Sequence, residues 1–169
     1  MVYSRRVTPV IRTLIFTILV PGFWTILMPY WLVPRGAHAD LRGWGALGLP
    51  LIAGGAALYA TCAFWAFARL GRGTPAPFDP PRRLVVEGPY RFVRNPMYWG
   101  VGSILVGEAM LFHSLPLLET AAGFLVATHL FVLLYEEPTL RRKFGAEYEE
   151  YCRVVPRWLP RRPLPGKVK

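Results

Sequence analysis

Between Thr13 and Val33 the chain carries no charged residue over twenty-one positions, and between Gly43 and Ala68 none over twenty-six. An apolar run of about 20 residues matches the ~30 Å hydrocarbon core of a bilayer when it is helical. In that medium the backbone must satisfy its own hydrogen bonds, which leaves the helix as the form for such a run. The small residues of the second run (Gly48, Ala53, Gly54, Gly55, Ala56, Ala57) predict close approach to a neighbouring helix. Pro21-Gly22 is expected to kink the first run, and Trp24, Tyr30 and Trp31 suit its interfacial end. The sequence Ala37-His38-Ala39 resembles a signal-peptide cleavage site, but the apolar run before it is too long for a typical signal core, so a retained span is expected.

Two further apolar stretches follow a long polar connection. Pro96 to Leu118 is interrupted by Glu108, and His113-Ser114-Leu115-Pro116 reads as a turn. Thr120 to Tyr135, begun near Leu117, is the fourth run. These two form a tight helical hairpin, and Glu136-Glu137-Pro138 is expected to end it, because Pro138 removes a helical bond to Leu134. Beyond it, Leu140, Phe144, Tyr148, Tyr151 and Val155 recur at helical spacing. They predict one amphipathic helix, lying on the headgroups or covering the connection before the third span. The fold class expected is therefore all-α, a polytopic membrane protein with four transmembrane helices and a C-terminal amphipathic cytoplasmic helix.

Residues 1–169 are read as a single unit. Residues 1–68 hold two spans, 69–95 a cytoplasmic loop, 96–137 the hairpin, and 138–169 a cytoplasmic helix with a basic, Pro-rich tail. The net charge is +10, yet only 18% of residues are charged, against about 25% in an average soluble domain. The basic residues flank apolar runs, so they point to anionic headgroups and not to nucleic acid. Lys and Arg number three before the first span, two in Pro34–Arg42, six in Arg69–Asn95, none in the hairpin turn and nine after it. The positive-inside rule then places both termini in the cytoplasm, here of a bacterial inner membrane. Cys62 and Cys152 have no spacing that suggests a metal site or disulfide framework.

Chemistry concentrates in Leu84–Gly100, L-V-V-E-G-P-Y-R-F-V-R-N-P-M-Y-W-G. Gly88-Pro89 reads as a turn. Asn95-Pro96 reads as a helix start, with Asn95 as N-cap and Pro96 at the first helical position. The hairpin brings this segment beside Glu136-Glu137. The aromatic rings, arginines, helix N-terminus and acid pair form either a ligand site or an interfacial ion-pair network joining Arg91 or Arg94 to Glu136 or Glu137.

The segment G-P-Y-R-F-V-R-N-P-M-Y-W-G, followed by E-E-P-x-L-x-x-x-F-G-x-E-Y-x-x-Y-x-x-x-V-P-R-W-L-P, resembles the isoprenylcysteine carboxyl methyltransferase and phospholipid methyltransferase family. The resemblance covers about Leu84 to Pro160. It implies an integral membrane enzyme that moves a methyl group from S-adenosyl-L-methionine to a lipophilic acceptor entering from the bilayer. It also implies that Arg82, Arg83, Leu84, Val85, Tyr90, Asn95, Pro96, Met97, Tyr98 and Glu136 bind the cofactor. The family usually has His where this chain has Asn95, which cannot titrate near neutral pH, so no general-base role is expected there. In the isoprenylcysteine branch an arginine holds the substrate carboxylate where this chain has Val132.

No catalytic residue is assigned; His129 and Glu108 are the candidates. An acid at the position of Glu108 costs about 2.5–3.5 kcal/mol on insertion scales if it faces lipid. The acceptor is expected beside Gly100, Ile104, Thr128 and Val132, and no metal is expected. The other readings are a membrane reductase using NADPH on a related helical scaffold, and a non-enzymatic membrane scaffold. The acceptor atom and the oligomeric state stay open.

Overall fold

The computed structural model describes residues 4–64 and 83–162, and every described element is helical. Helix α1 (Ser4–Leu19) leads through a π-helical turn, Phe23–Leu27, into α2 (Met28–Leu32). The interruption falls at Pro21-Gly22, as expected: Pro21 has no N–H to offer the carbonyl of Thr17. A 3₁₀ turn, Trp44–Leu47, opens α3 (Gly48–Ala60), whose helical path continues to residue 64. Helix α4 spans Pro96–Leu111, and α5 spans Leu115–Phe131. The turn between them places His113 at φ 47°. Ser114 caps α5, its Oγ accepting from the N–H of Leu117 at 3.4 Å.

Among the described residues, three helical stretches are long and apolar enough to cross a membrane: Thr13–Leu32, Trp44–Phe64 and Leu115–Phe144. Helix α4 has 16 residues, so it is only about 24 Å long at 1.5 Å per residue. It lies between α3 and α5 and packs on both.

The α3–α4 contact is built on glycine. A Cβ on Gly107 would lie 2.6 Å from the carbonyl oxygen of Gly48, and one on Gly100 would lie 2.8 Å from that of Gly55. Such spacing brings the two backbones together without side chains between them. The core then runs along the bundle through Tyr59, Ala63, Val101, Leu105, Ala121 and Phe124, with Trp24 packed against it.

Three expectations need correction. The span containing α5 does not stop at Glu136-Glu137-Pro138. It passes through a π-helical turn, Val132–Glu136, into α6 (Glu137–Phe144). The N–H of Glu137 reaches back to the carbonyl of Val132. The wider turn carries the chain past the donor that Pro138 lacks, so the helix continues. Second, the amphipathic pattern beyond Pro138 lies on two helices. Gly145, at φ 53°, separates α6 from α7 (Ala146–Val154), a left-handed conformation that glycine adopts without a Cβ penalty. Third, the side chain of Asn95 does not cap α4.

Of the two places open to the amphipathic face, it takes the covering position. Tyr148, Tyr151 and Val155 are buried against Leu84, Val86, Leu140 and Phe144. On the opposite end of the bundle, Asp40 ties the first loop to the hairpin turn. Its carboxylate accepts from the N–H groups of Gly43 and Gly45 and lies 2.9 Å from His113 Nε2. Its own N–H donates to the carbonyl of Leu111.

Candidate functional site

The segment before α4 alternates its side chains because it is extended. Val85 is buried with Cys62 and Tyr90, while Leu84 and Val86 pack on α7. Gly88, at φ 59°, turns the chain into a short 3₁₀ helix, Gly88–Arg91. Tyr90 is buried there, and its carbonyl accepts from the hydroxyl of Tyr151 at 2.8 Å. Burial pushes both phenols above their usual range, so each stays protonated at neutral pH.

The segment is then strapped from outside. Residues 156–161 run back across 92–99, joined largely through main-chain groups. The N–H of Arg94 donates to the carbonyl of Pro156 at 2.9 Å, and the N–H of Arg161 to that of Phe92 at 3.0 Å. Asn95 Nδ2 donates to the carbonyl of Arg157 at 3.1 Å. Trp99 Nε1 donates to the carbonyl of Trp158 at 2.9 Å.

Inside the strap the acid pair divides its work. Glu137 is 3% exposed and engages three arginines: Arg157 at 2.6 Å, Arg94 at 3.0 Å and Arg141 at 3.6 Å. That carboxylate raises the pKa of Arg157 still further. The ion-pair network read from the sequence thus exists, but it belongs to Glu137 and Arg94, with Arg157 from the tail. Glu136 is different. Among the described residues no basic side chain pairs with it, and it accepts the hydroxyl of Tyr98 at 2.8 Å. Two carboxylate oxygens offer about four acceptor positions, so one phenol leaves Glu136 able to bind further donors.

Aromatic rings extend inward from this acid. The Tyr98 ring lies 6.5 Å from Phe124 and 6.3 Å from Trp158, and Trp158 lies 5.9 Å from His129. Trp158 Nε1 donates to His129 Nδ1 at 2.9 Å.

The residues singled out from the sequence separate on this geometry. Tyr98, Glu136 and His129 line one wall. Met97 is half-buried and packs between the two inner clusters, and Pro96 is fully buried at the start of α4. Asn95 is buried and turned to the strap. Leu84, Val85 and Tyr90 are packing residues around the wall, and Arg83 is exposed. Arg82 lies outside the described residues. Glu108 sits ten residues along α4 from Tyr98, about 15 Å at the helical rise, so it does not join this wall. Its Oε2 is buried without a hydrogen-bond partner among the described residues.

The expected acceptor pocket does not form as a unit. Gly100 and Ile104 face Gly55 and Tyr59 of α3, while Thr128 on α5 and Val132 in the π-helical turn after it are buried. The close α3–α4 approach turns that side of α4 away from α5. The sequence pointed to Arg94 as an ion-pair partner of the acid pair, but not to Trp158 and Arg157 as parts of the site. Trp158 and Arg157 stand in the second motif, V-P-R-W-L-P, but their partners are about 20 to 60 positions away.

The phospholipid methyltransferase family model matches residues 44–147, more than half of the chain. The chain belongs to the phospholipid methyltransferase family. Two rice proteins, from Oryza sativa subsp. indica and subsp. japonica, each named "Probable protein-S-isoprenylcysteine O-methyltransferase", are 37% identical to it over 90 residues. The match covers 49% of this chain and 44% of each rice protein, so the chain matches less than half the length of these curated relatives. No solved structure matches. Family and apolar helices together make this an integral membrane protein.

Proposed function

We propose that the chain is an S-adenosylmethionine-dependent methyltransferase acting on a lipophilic acceptor that enters from the bilayer. The observation that carries this reading is Glu136, an acid held by Tyr98 Oη at 2.8 Å and by no arginine among the described residues, beside an aromatic wall and beneath a strap. Family membership and the names of the rice relatives support the same reaction class.

The residues present fit that cofactor. Glu136 has acceptor capacity for ribose hydroxyls or an ammonium. The rings of Tyr98 and Trp158 offer π-faces to a sulfonium cation. The side chain of Asn95 does not cap α4, so the first N–H groups of that helix suit a carboxylate. When bound, S-adenosylmethionine supplies a methyl group on a sulfonium, open to in-line displacement by a lone pair. The chain itself contributes position and dryness. Tyr98 orients Glu136, the Glu137–Arg94–Arg157 cluster fixes the strap, and the strap closes the wall against water. Positioning of this kind is a large part of what such a displacement needs.

In this reading α4 is a fourth, short crossing, shielded between α3 and α5, and both termini lie in the cytoplasm. Reporter fusions after Lys169 and within Pro34–Arg42 are expected on opposite sides; the same side for both would overturn this topology. Cofactor choice is tested by titrating purified protein with S-adenosylmethionine and with NADPH. Saturable heat with the first alone is expected, and binding of NADPH in its place would reject the proposal.

A further inference from the structure

The wall contains one hydrogen bond whose direction is fixed by chemistry. An indole N–H only donates. Trp158 Nε1 lies 2.9 Å from His129 Nδ1, so Nδ1 is the acceptor and carries no proton. In the neutral imidazole the proton is then on Nε2. No described group bonds to Nε2. His129 is half-buried, and Val126 and Leu130, on the same part of α5, are 61% and 48% exposed. His129 therefore stands where the aromatic wall meets the lipid-facing surface, seven residues from Glu136. That separation is about 10 Å along the helix.

We propose that Trp158 fixes His129 as the Nε2–H tautomer, so that His129 serves as a hydrogen-bond donor positioning an oxygen-bearing acceptor head, and not as a general base. The part concerning the acceptor rests on methyl transfer at this site; the tautomer does not. The nitrogen a base would use is occupied on one side and protonated on the other. A donor at the lipid edge, in contrast, can take an ester, carbonyl or phosphate oxygen of an amphiphile and fix how far its head enters. Trp158 is thus a positioning residue acting through His129. The strap that carries it stays in place without the indole N–H, because its ties to 92–99 use the main chain of 156–161.

The tautomer is read directly from full-length protein labelled with [15N]histidine in detergent micelles, at mildly alkaline pH. The chain has three histidines, and the His129 signals are those lost in His129→Gln. Wild type is expected to show a protonated Nε2 and an unprotonated, hydrogen-bonded Nδ1. In Trp158→Phe the Nδ1 signal should move to the position of a free acceptor. A proton on Nδ1 in wild type, or identical spectra in both proteins, would overturn the proposal.

Kinetics supply the second arm. His129→Leu should raise the acceptor KM about five- to tenfold with kcat nearly unchanged, the pattern of lost positioning. His129→Gln keeps an acceptor for the indole and a donor for the substrate, and should restore most of that loss. A collapse of kcat in both variants would identify a base and overturn the proposal. Absence of any methyl transfer in wild type would instead count against the proposed function, and the spectra would still decide the tautomer.

Discussion

Glu136 and Glu137 are chemically identical neighbours with opposite situations. A neighbouring residue on a helix points about 100° away. Here that rotation carries Glu137 into a cage of arginines and Glu136 to Tyr98. Removing Glu137 leaves Arg94, which is 11% exposed, without its counter-charge. Breaking a buried pair from one side costs about 3–5 kcal/mol, so Glu137→Ala should unfold at a markedly lower temperature in detergent. Glu136→Ala should leave the melting temperature nearly unchanged and weaken S-adenosylmethionine binding by about 1.5–3 kcal/mol, the worth of one charge-assisted bond. Titration calorimetry and thermal unfolding on both variants separate the two roles. Equal, small effects on binding would return the pair to a simple interfacial network. The sequence showed the acid pair beside an arginine-rich segment, but not which acid served which purpose. That choice depends on Arg157, brought in by the strap from 20 residues away, and no local pattern encodes it.

At the scale of elements, the runs of apolar residues were legible because length and the absence of charge act locally. Their ends were less so. Pro138 predicted a break, and the π-helical turn at Val132–Glu136 absorbed it; Gly145 instead divided the amphipathic stretch. The small residues of α3 did announce a close helix contact, and their partners are the glycines of α4. Gly107→Ala should therefore force the α3–α4 backbones apart and cost about 1–3 kcal/mol or more. Gly54→Ala, where an added Cβ meets nothing within 4 Å, should be neutral or slightly stabilising. Comparing their unfolding in one detergent checks whether this contact sets the bundle. A second element-level test uses the loop clasp. The hydrogen bonds from His113 and from the Gly43 and Gly45 N–H groups hold the Asp40 carboxyl well below the usual carboxylate range. A depressed folded-state pKa stabilises above the unfolded value of about 4 and is lost as pH falls through the folded value. Asp40→Asn should thus lower the melting temperature at neutral pH, with the gap to wild type closing below about pH 4. A gap that stays constant down to strongly acidic pH would remove Asp40 ionisation from the stability of this face.

For the whole molecule, the distribution of positive charge bears on what the site can accept. No Lys or Arg lies between Pro96 and Glu136, which covers both limbs of the hairpin. Two basic residues that reach the site, Arg94 and Arg157, are held by Glu137 at 3.0 and 2.6 Å. The position at which the isoprenylcysteine branch carries its carboxylate-binding arginine is Val132, 1% exposed and buried in the core. A carboxylate taken into this wall would meet Glu136 and find no free bidentate cation among the described residues, and burying an unpaired charge is strongly disfavoured. One donor from His129 compensates only part of that cost. An amine, thiol or hydroxyl acceptor carries no such penalty, and a cationic amine gains from Glu136. In a methyl-transfer assay at neutral pH, a lipophilic amine or thiol should therefore outperform a farnesylcysteine-type acid by at least about tenfold in kcat/KM, equivalent to roughly 1.4 kcal/mol in transition-state stabilisation. The order should persist in His129→Ala, because the missing element is a cation and not a hydrogen bond. Should the acid be the best acceptor, and remain so after His129→Ala, a cation other than Arg94 and Arg157 must hold it, and Val132 does not exclude carboxylate acceptors.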